Sequence, residues 1–161
     1  MKINNKAQIQ AEVFIYILAV VVTGAILLFG YVAIRDFVKR GEDASFIKLK
    51  TDLERDVSNI RGDFGTVRIK EYQIPTKYNK VCLIGENPDA NSITDPIIKD
   101  SVASGVQKNI FFLPDGTDSV YVGRIDTPDT SSDFQCLNVI QGMIKIKLEG
   151  KGDQTWISEV R

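Results

Sequence analysis

The stretch that decides the fold is residues 13–34, VFIYILAVVVTGAILLFGYVAI, in which no charged side chain occurs. Glu12 precedes this run and Arg35 ends it. An α-helix rises about 1.5 Å per residue, so a helix of this length crosses a hydrocarbon core about 30 Å thick. The run is longer than the apolar region of an ordinary secretory signal, and no small-x-small cleavage site follows it. The sequence therefore predicts a membrane-spanning helix over residues 8–35.

Four residues at the start of this helix, Lys6, Ala7, Gln8 and Glu12, form a pattern that resembles the class III signal peptide of archaeal type IV pilins and related surface-filament subunits. In that family a prepilin peptidase cuts on the cytoplasmic side of the span, after a small residue that follows a basic one. The new N-terminal residue is commonly Gln, and the fifth mature residue is commonly Glu. Ala7 departs from the family, in which Gly is more usual before the cut. The resemblance covers about the first 35 residues and implies that residues 1–7 are a leader.

The resemblance also implies what the helix does. In filaments of this family the apolar helices bundle, and the residue corresponding to Glu12 neutralises the N-terminal amine of a neighbouring subunit. A carboxylate at this depth needs such a partner, because burial of an unpaired charge in the membrane is costly. Ala19 and Thr23 lie four residues apart and would permit close helix contact, although they also suit ordinary lipid-facing positions. The expected partners are membrane lipid, the prepilin peptidase, and itself or other pilin-like subunits.

A second interpretation keeps the helix as a simple anchor. Glu12 is then only the polar flank of the span, and the protein is a monomeric extracytoplasmic domain that binds a ligand or a partner. Cleavage between Ala7 and Gln8 would separate the two interpretations.

The orientation of the span follows from the resemblance and not from the charge distribution. Cytoplasmic flanks are usually rich in basic residues, although long domains translocate largely regardless of charge. The processing motif favours an outside position for the C-terminal domain, against the charge count. Two basic residues precede the span and five follow it closely: Lys2 and Lys6, then Arg35, Lys39, Arg40, Lys48 and Lys50.

Composition limits what the remainder of the chain can do. About 100 residues follow the anchor and its extension, which suits one domain. The 20 basic and 21 acidic residues are balanced, so the basic surface of a nucleic-acid-binding protein is not expected. The chain holds no histidine, which excludes a His-based triad and any His-ligated metal site. We expect no catalytic activity, no cofactor, no metal and no nucleic-acid partner.

Cys82 and Cys136 each lie in an apolar run. An outside domain is in an oxidising setting, where two cysteines are typical of one disulfide. In the loop-entropy model such a bridge would stabilise the domain by about 4 kcal/mol. The alternative is a pair of reduced cysteines that act as small buried hydrophobic residues.

An amphipathic extension of the helix is predicted over residues 36–64, with Gly41 as a weak point where the helix leaves the bilayer and Gly62 and Gly65 as its end. A stripe of apolar residues recurs there at spacings of three and four, as on a helix with one buried face. Its members are Phe46, Leu49, Leu53, Val57, Ile60 and Phe64.

Strand patterns dominate residues 65–161, the predicted β-rich head. Alternation or β-branched runs predict strands at 66–70, 80–84, 110–113 and 119–125, with a hairpin turn at 114–118 and a short helix from Pro96 to Val102. The segments 135–140, 143–148 and 155–160 predict a three-stranded meander. A long N-terminal helix followed by an antiparallel β-rich head is an α+β fold, as in pilins.

Candidate sites within the head are weak. Loop carboxylates could bind Ca²⁺ if they converged, but Asp is common in turns and the spacing matches no EF-hand. Ser101 and Ser104 near Lys99 have no oxyanion signature beside them. The carboxylates in question are Asp115, Asp118, Asp126, Asp129 and Asp133.

Overall fold

The structure is a computed structural model that describes residues 5–114, 118–128 and 132–160, with side chains described from Glu12 onwards. The chain divides into two compact units, one that ends at Asp43 and one that runs from Ala44. The elements in chain order are α1 (Asn5–Arg61), β1 (Val67–Gln73), β2 (Lys80–Ile84), α2 (Pro96–Ala103), β3 (Ile110–Leu113), β4 (Ser119–Val120), β5 (Ile125–Asp126), β6 (Phe134–Asn138), β7 (Met143–Gly150) and β8 (Thr155–Glu159). A long N-terminal helix followed by a β-rich domain is the predicted α+β class.

The apolar stripe on the C-terminal part of α1 packs into the second unit. Leu49, Leu53, Val57 and Ile60 are buried, and Phe46 lies partly buried against the same cluster. The helical assignment continues through Gly41 and ends at Arg61.

The prediction that Phe64 belongs to the apolar stripe was wrong. It lies three residues beyond the end of α1, and 80% of its surface is exposed. Once the helix has ended, the spacing of three and four no longer places a side chain on the buried face.

The strands form two four-stranded sheets, which we call sheet A and sheet B. Sheet A has the order β1-β7-β8-β5 and sheet B the order β4-β3-β2-β6. All pairs are antiparallel except β5 with β8, which run parallel.

Two strand predictions were wrong in their pairing. β6 does not lie beside β7 in a meander; it pairs with β2 in the other sheet. An isolated bridge joins Ile140, two residues beyond β6, to Met143, the first residue of β7. The predicted strand at 119–125 is two short strands, β4 and β5, which belong to different sheets. β3 and β4 pair antiparallel, as in the predicted hairpin, while residues 115–117 of the predicted turn lie outside the described residues.

Sheet B lies between two apolar clusters because its residues alternate in direction along each strand. Val81, Leu83 and Phe112 join the main core with the α1 stripe and the inner residues of sheet A. Cys82 and Phe111 face the other way and pack with Ile98 of α2. The main core therefore holds the C-terminal part of α1 and both sheets together, while α2 covers the outer face of sheet B.

Gly150 allows the end of α1 to meet sheet A. A Cβ at this position would overlap the carbonyl oxygens of Ile60 and Asp63. The Gly65 amide donates to the Gly150 carbonyl at 2.8 Å, and the Gly150 amide donates to Thr66 at 3.0 Å. A residue with a side chain here would push the helix end away from β7.

Candidate functional site

Apolar residues in the first unit are exposed on every side of α1. The large hydrophobic side chains between residues 13 and 34 are between 44% and 77% exposed. Within the described residues, one helix is long and apolar enough to cross a membrane by its length and composition. A helix that is apolar on every side is normally covered by other apolar groups, and the described residues leave this segment uncovered.

The residues expected to act in assembly lie on this helix. Glu12, Ala19 and Thr23 are all exposed, and the i, i+4 spacing of the latter two places them on one face. The helix includes Lys6, Ala7 and Gln8, but the side chains of the predicted processing site lie outside those that the structure describes.

Two glycines of the span add a feature that the sequence interpretation did not use. A Cβ built on Gly24 or on Gly30 would meet nothing within 4 Å. Packing within the chain therefore does not account for either residue, although glycine inside a helix costs about 1 kcal/mol relative to alanine. The sequence signal that could have revealed them is the presence of two helix-weakening residues inside an otherwise strong apolar run.

Cys82 and Cys136 are joined, in agreement with the predicted disulfide. They are direct partners across β2 and β6, with a Cα–Cα distance of 4.0 Å. Cys82 is fully buried against α2, whereas Cys136 lies on edge strand β6 and is exposed. The bridge fixes the edge of sheet B to its interior.

Asp118, one of the candidate calcium ligands, is engaged by other groups. Its carboxylate accepts hydrogen bonds from the Tyr78 hydroxyl and from Lys77 Nζ, the latter at 3.0 Å. These two donors hold the pKa of Asp118 below its usual range, while burial and the same contact raise the pKa of Tyr78 to about 12. Asp118 therefore fastens the β3–β4 hairpin to the segment before β2.

Asp126 and Asp133 lie close together, but with different surroundings. Asp133 is buried and accepts hydrogen bonds from the backbone amides of Asn87 at 2.8 Å and Thr127 at 3.2 Å. Burial, and then the neighbouring Asp133, raise the pKa of Asp126. No group of three or more His, Cys, Asp or Glu residues suited to a metal occurs among the described residues. Asp115 and Asp129 lie outside those residues.

Ser104 has a structural function. Its hydroxyl donates to the carbonyl oxygens of Asp100 at 2.8 Å and Ser101 at 3.0 Å. These bonds close the C-terminal end of α2, whose N-terminal end is capped by the Asp95 carboxylate.

A groove of about 450 Å³ opens at one end of sheet B. Three segments line it, together with Val102 of α2: residues 84–88 at the end of β2, residues 105–109 before β3, and residues 121 and 123–125 from the end of β4 to the start of β5. They meet because β2, β3 and β4 are antiparallel neighbours, so the end of β2 lies beside the start of β3 and the end of β4. The sequence interpretation did not find this groove.

Comparisons of the chain with protein-family models, with curated proteins and with solved structures find no match.

Proposed function

We propose that the chain is a pilin-like structural subunit or minor pilin of an archaeal type IV-pilus-like surface filament, without catalytic activity. The observation that carries the proposal is the uncharged helix of residues 13–34, exposed on all sides, with Glu12 at its N-terminal end. A bilayer and a bundle of identical helices are both apolar partners for such a surface. One helix can therefore occupy the membrane before assembly and a filament core after it.

Gly24 and Gly30 support the assembled state. Small residues let helix backbones approach closely in an apolar medium, where dispersion and packing replace the hydrophobic effect as the driving force. Both glycines leave open space on the helix surface. Ala19 and Thr23 extend the set of small residues on the same helix.

In the proposed mechanism, prepilin peptidase cuts between Ala7 and Gln8 while the head lies outside the cytoplasm. The freed amine of Gln8 meets Glu12 of a neighbouring subunit, and the attraction between the two charges offsets part of the cost of taking them out of water. An outside position also agrees with the disulfide, because such bonds persist in oxidising compartments.

The second candidate is a monomeric, single-pass anchored extracytoplasmic domain that binds a ligand. The groove at the end of sheet B favours it, because small-ligand sites are usually recessed surfaces in which polar groups supplement an apolar lining. This candidate needs neither cleavage nor a charged partner for Glu12.

Processing is the first test. Intact-mass analysis of the protein from native membranes is expected to show a chain that starts at Gln8. Ala7→Phe should block the cut, since the family accepts a small residue at this position. A mature chain that retains Met1 would contradict the proposal.

Glu12→Ala is the second test. We expect normal insertion and head folding but a reduced fraction of protein in sheared surface filaments, because the neighbouring amine loses its partner. Glu54→Ala is the matched control, since it removes only the exposed pair with Lys50 at 3.8 Å on the same helix. Equal sheared fractions in wild type and Glu12→Ala would refute the pairing, and no sheared protein in either would favour the anchored monomer.

A further inference from the structure

Buried polar side chains are concentrated around the groove at the end of sheet B. Among the described residues, four polar or charged side chains are buried: Asn109, Thr127, Asp133 and Thr155. The first three hold the loops that form the groove. A buried polar group is costly unless it is satisfied, so its presence indicates a segment that must be held in one conformation.

Asn109 holds in place the segment between β4 and β5, which forms one side of the groove. Its Oδ1 atom accepts a hydrogen bond from the Val122 amide at 3.1 Å, and its Nδ2 atom donates to the Gly123 carbonyl at 2.6 Å. Because both ends of one amide are used, the chain from residue 122 to 123 cannot shift without leaving a buried group unsatisfied.

Asp133 holds in place the segment after β2, which forms the opposite side of the groove. Besides the bonds from Asn87 and Thr127, its backbone carbonyl accepts from the Gly85 amide at 2.9 Å. A Cβ at Gly85 would overlap the Asp133 carboxylate, so only glycine admits this contact. The groove is therefore preorganised on both sides, and a ligand would lose little free energy in ordering it.

Two of the charged residues that line the groove, Arg124 and Glu86, are paired with each other, whereas the third, Lys108, has no ion pair among the described residues. Arg124 binds Glu86 through two nitrogens, with Nη2 and Oε2 2.7 Å apart, and its Nη1 atom lies 3.6 Å from Asp153. The Arg124 guanidinium is therefore already paired with carboxylates and is not free to bind a further phosphate or carboxylate. Arg124 and Glu86 still have donor and acceptor atoms that can form hydrogen bonds with a neutral ligand. Gln107 and Asn87 add planar amide groups to the lining.

The apolar part of the lining includes buried residues, such as Ile84 and Ile125, and two residues at the surface. Tyr121 is 43% exposed and Val106 is 49% exposed. An exposed aromatic ring offers a flat apolar face beside a hydroxyl group. Such a face, bordered by amides, an ion pair and the Lys108 ammonium group, suits a molecule with one apolar C–H face and many hydroxyl groups.

We propose that this groove is a saccharide-binding site, with Tyr121 as the stacking platform and Glu86, Gln107 and Arg124 as hydrogen-bonding partners. The proposal holds for a filament subunit and for an anchored monomer alike, because every residue involved lies in the second unit.

A peptide is a poorer fit for the same groove. Peptides commonly bind by adding a strand to an exposed sheet edge, and β4 is the edge strand beside the groove. β4 has only two residues, and the amide of Val122 just beyond it is already bonded to Asn109. Little backbone is therefore left to pair with an added strand.

The test uses the full-length chain in lipid nanodiscs, since maltoside detergents would compete for the site. The probes are hexasaccharides of glucose in α-1,4 and β-1,4 linkage, of mannose, of N-acetylglucosamine and of galacturonate, titrated by calorimetry. We expect at least one to bind, and Tyr121→Ala to weaken that binding about ten-fold. Tyr121→Phe should retain it, and Ile140→Ala, at an exposed apolar residue outside the groove, should leave it unchanged.

Gln107→Ala is a second variant that avoids the aromatic residue, and it should also weaken binding. The proposal is overturned if none of the five probes binds at concentrations up to about 10 mM. It is equally overturned if binding persists in both Tyr121→Ala and Gln107→Ala, or if a neutral hexapeptide of Ser and Gly binds in a Tyr121-dependent manner while the saccharides do not. A wild-type disulfide and unfolding transition in each variant shows that the fold is retained.

Discussion

Two stretches of α1 differ in how far their apolar residues are exposed. Between residues 13 and 34 the large hydrophobic side chains are exposed on every side, whereas between residues 44 and 61 most of them form one stripe that is buried. Leu28 is 70% exposed and Leu53 only 1%, although both are leucines in regular helix. The difference shows that the arrangement of apolar residues on a helix, and not their number, indicates what the helix packs against. A single stripe suits one protein surface, whereas apolar residues on every side suit an apolar medium.

The largest effect should come from a pair of matched truncations. Leu53→Ala is expected to lower the free energy of unfolding of the head by about 2–5 kcal/mol, because it leaves a cavity in the main core. Leu28→Ala should leave that free energy unchanged. Chemical unfolding of the full chain in detergent, followed by the fluorescence of Trp156, measures both, since the single tryptophan lies in β8.

Equal losses of stability in these two variants would break the comparison, because Leu28 would then have to pack against the head. A change in the Trp156 fluorescence of folded Leu28→Ala would likewise indicate that Leu28 packs against the head.

A pair of arginine substitutions tests what surrounds each stretch. Val21→Arg should disfavour membrane insertion by about 2.5–3.5 kcal/mol, because a charge near the centre of a span is costly. Ile47→Arg should have no such effect, since Ile47 is 63% exposed on the part of α1 that belongs to the head unit. The membrane-integrated fraction after alkaline extraction is the measurement. Normal integration of Val21→Arg would argue against a membrane-spanning segment at this position.

The smallest expected effect is the dependence of head stability on pH. It arises from the paired charges of the head, which the uncharged helical run of residues 13–34 lacks. Because Tyr78 and Lys77 lower the pKa of Asp118 in the folded state, this group stabilises the head above its ordinary pKa. That contribution is lost as the pH falls through the lowered value. The side chain is 39% exposed, so we expect about 0.5 kcal/mol at neutral pH.

Asp118→Asn should therefore lower stability at pH 7 and converge with wild type near pH 2. Unfolding transitions recorded across this range give the comparison. A difference that stays constant, or grows, towards acid would mean that the carboxylate is not stabilised by its two donors.

The features predicted from the sequence are those with a local cause. The long apolar helix and the buried stripe follow from the spacing of apolar residues within α1, and the end of the helix follows from Gly62 and Gly65. The strands β2 and β3 and the helix α2 lie close to their predicted bounds because β-branched runs, prolines and the Asp95 cap mark them directly.

Sheet membership could not be predicted, because pairing depends on contacts distant in sequence. β6 and β7 are separated by a short turn whose sequence suits a hairpin, yet β6 pairs with β2. The Cys82–Cys136 pair carried this information: two cysteines can bridge only if their strands approach, and here they are neighbours. The disulfide was predicted, but its consequence for strand order was not.

The groove was missed for a related reason. Asp133 looked like a possible calcium ligand within an acidic loop, but it bonds the amides of Asn87 and Thr127, and the former is 46 residues away. Asn109 bonds residues 13 and 14 positions away. No short motif encodes such contacts, so the function of either side chain becomes visible only when the loops are placed in space.

The fastening of the helix end has a consequence for biosynthesis. The Thr155 hydroxyl donates to the Val57 carbonyl across 98 positions, and the Gly152 amide donates to the Arg61 carbonyl. The last turns of α1 therefore gain these two hydrogen bonds only after residues 150–157 have left the ribosome. A chaperone that shields the end of the stripe would act before that point.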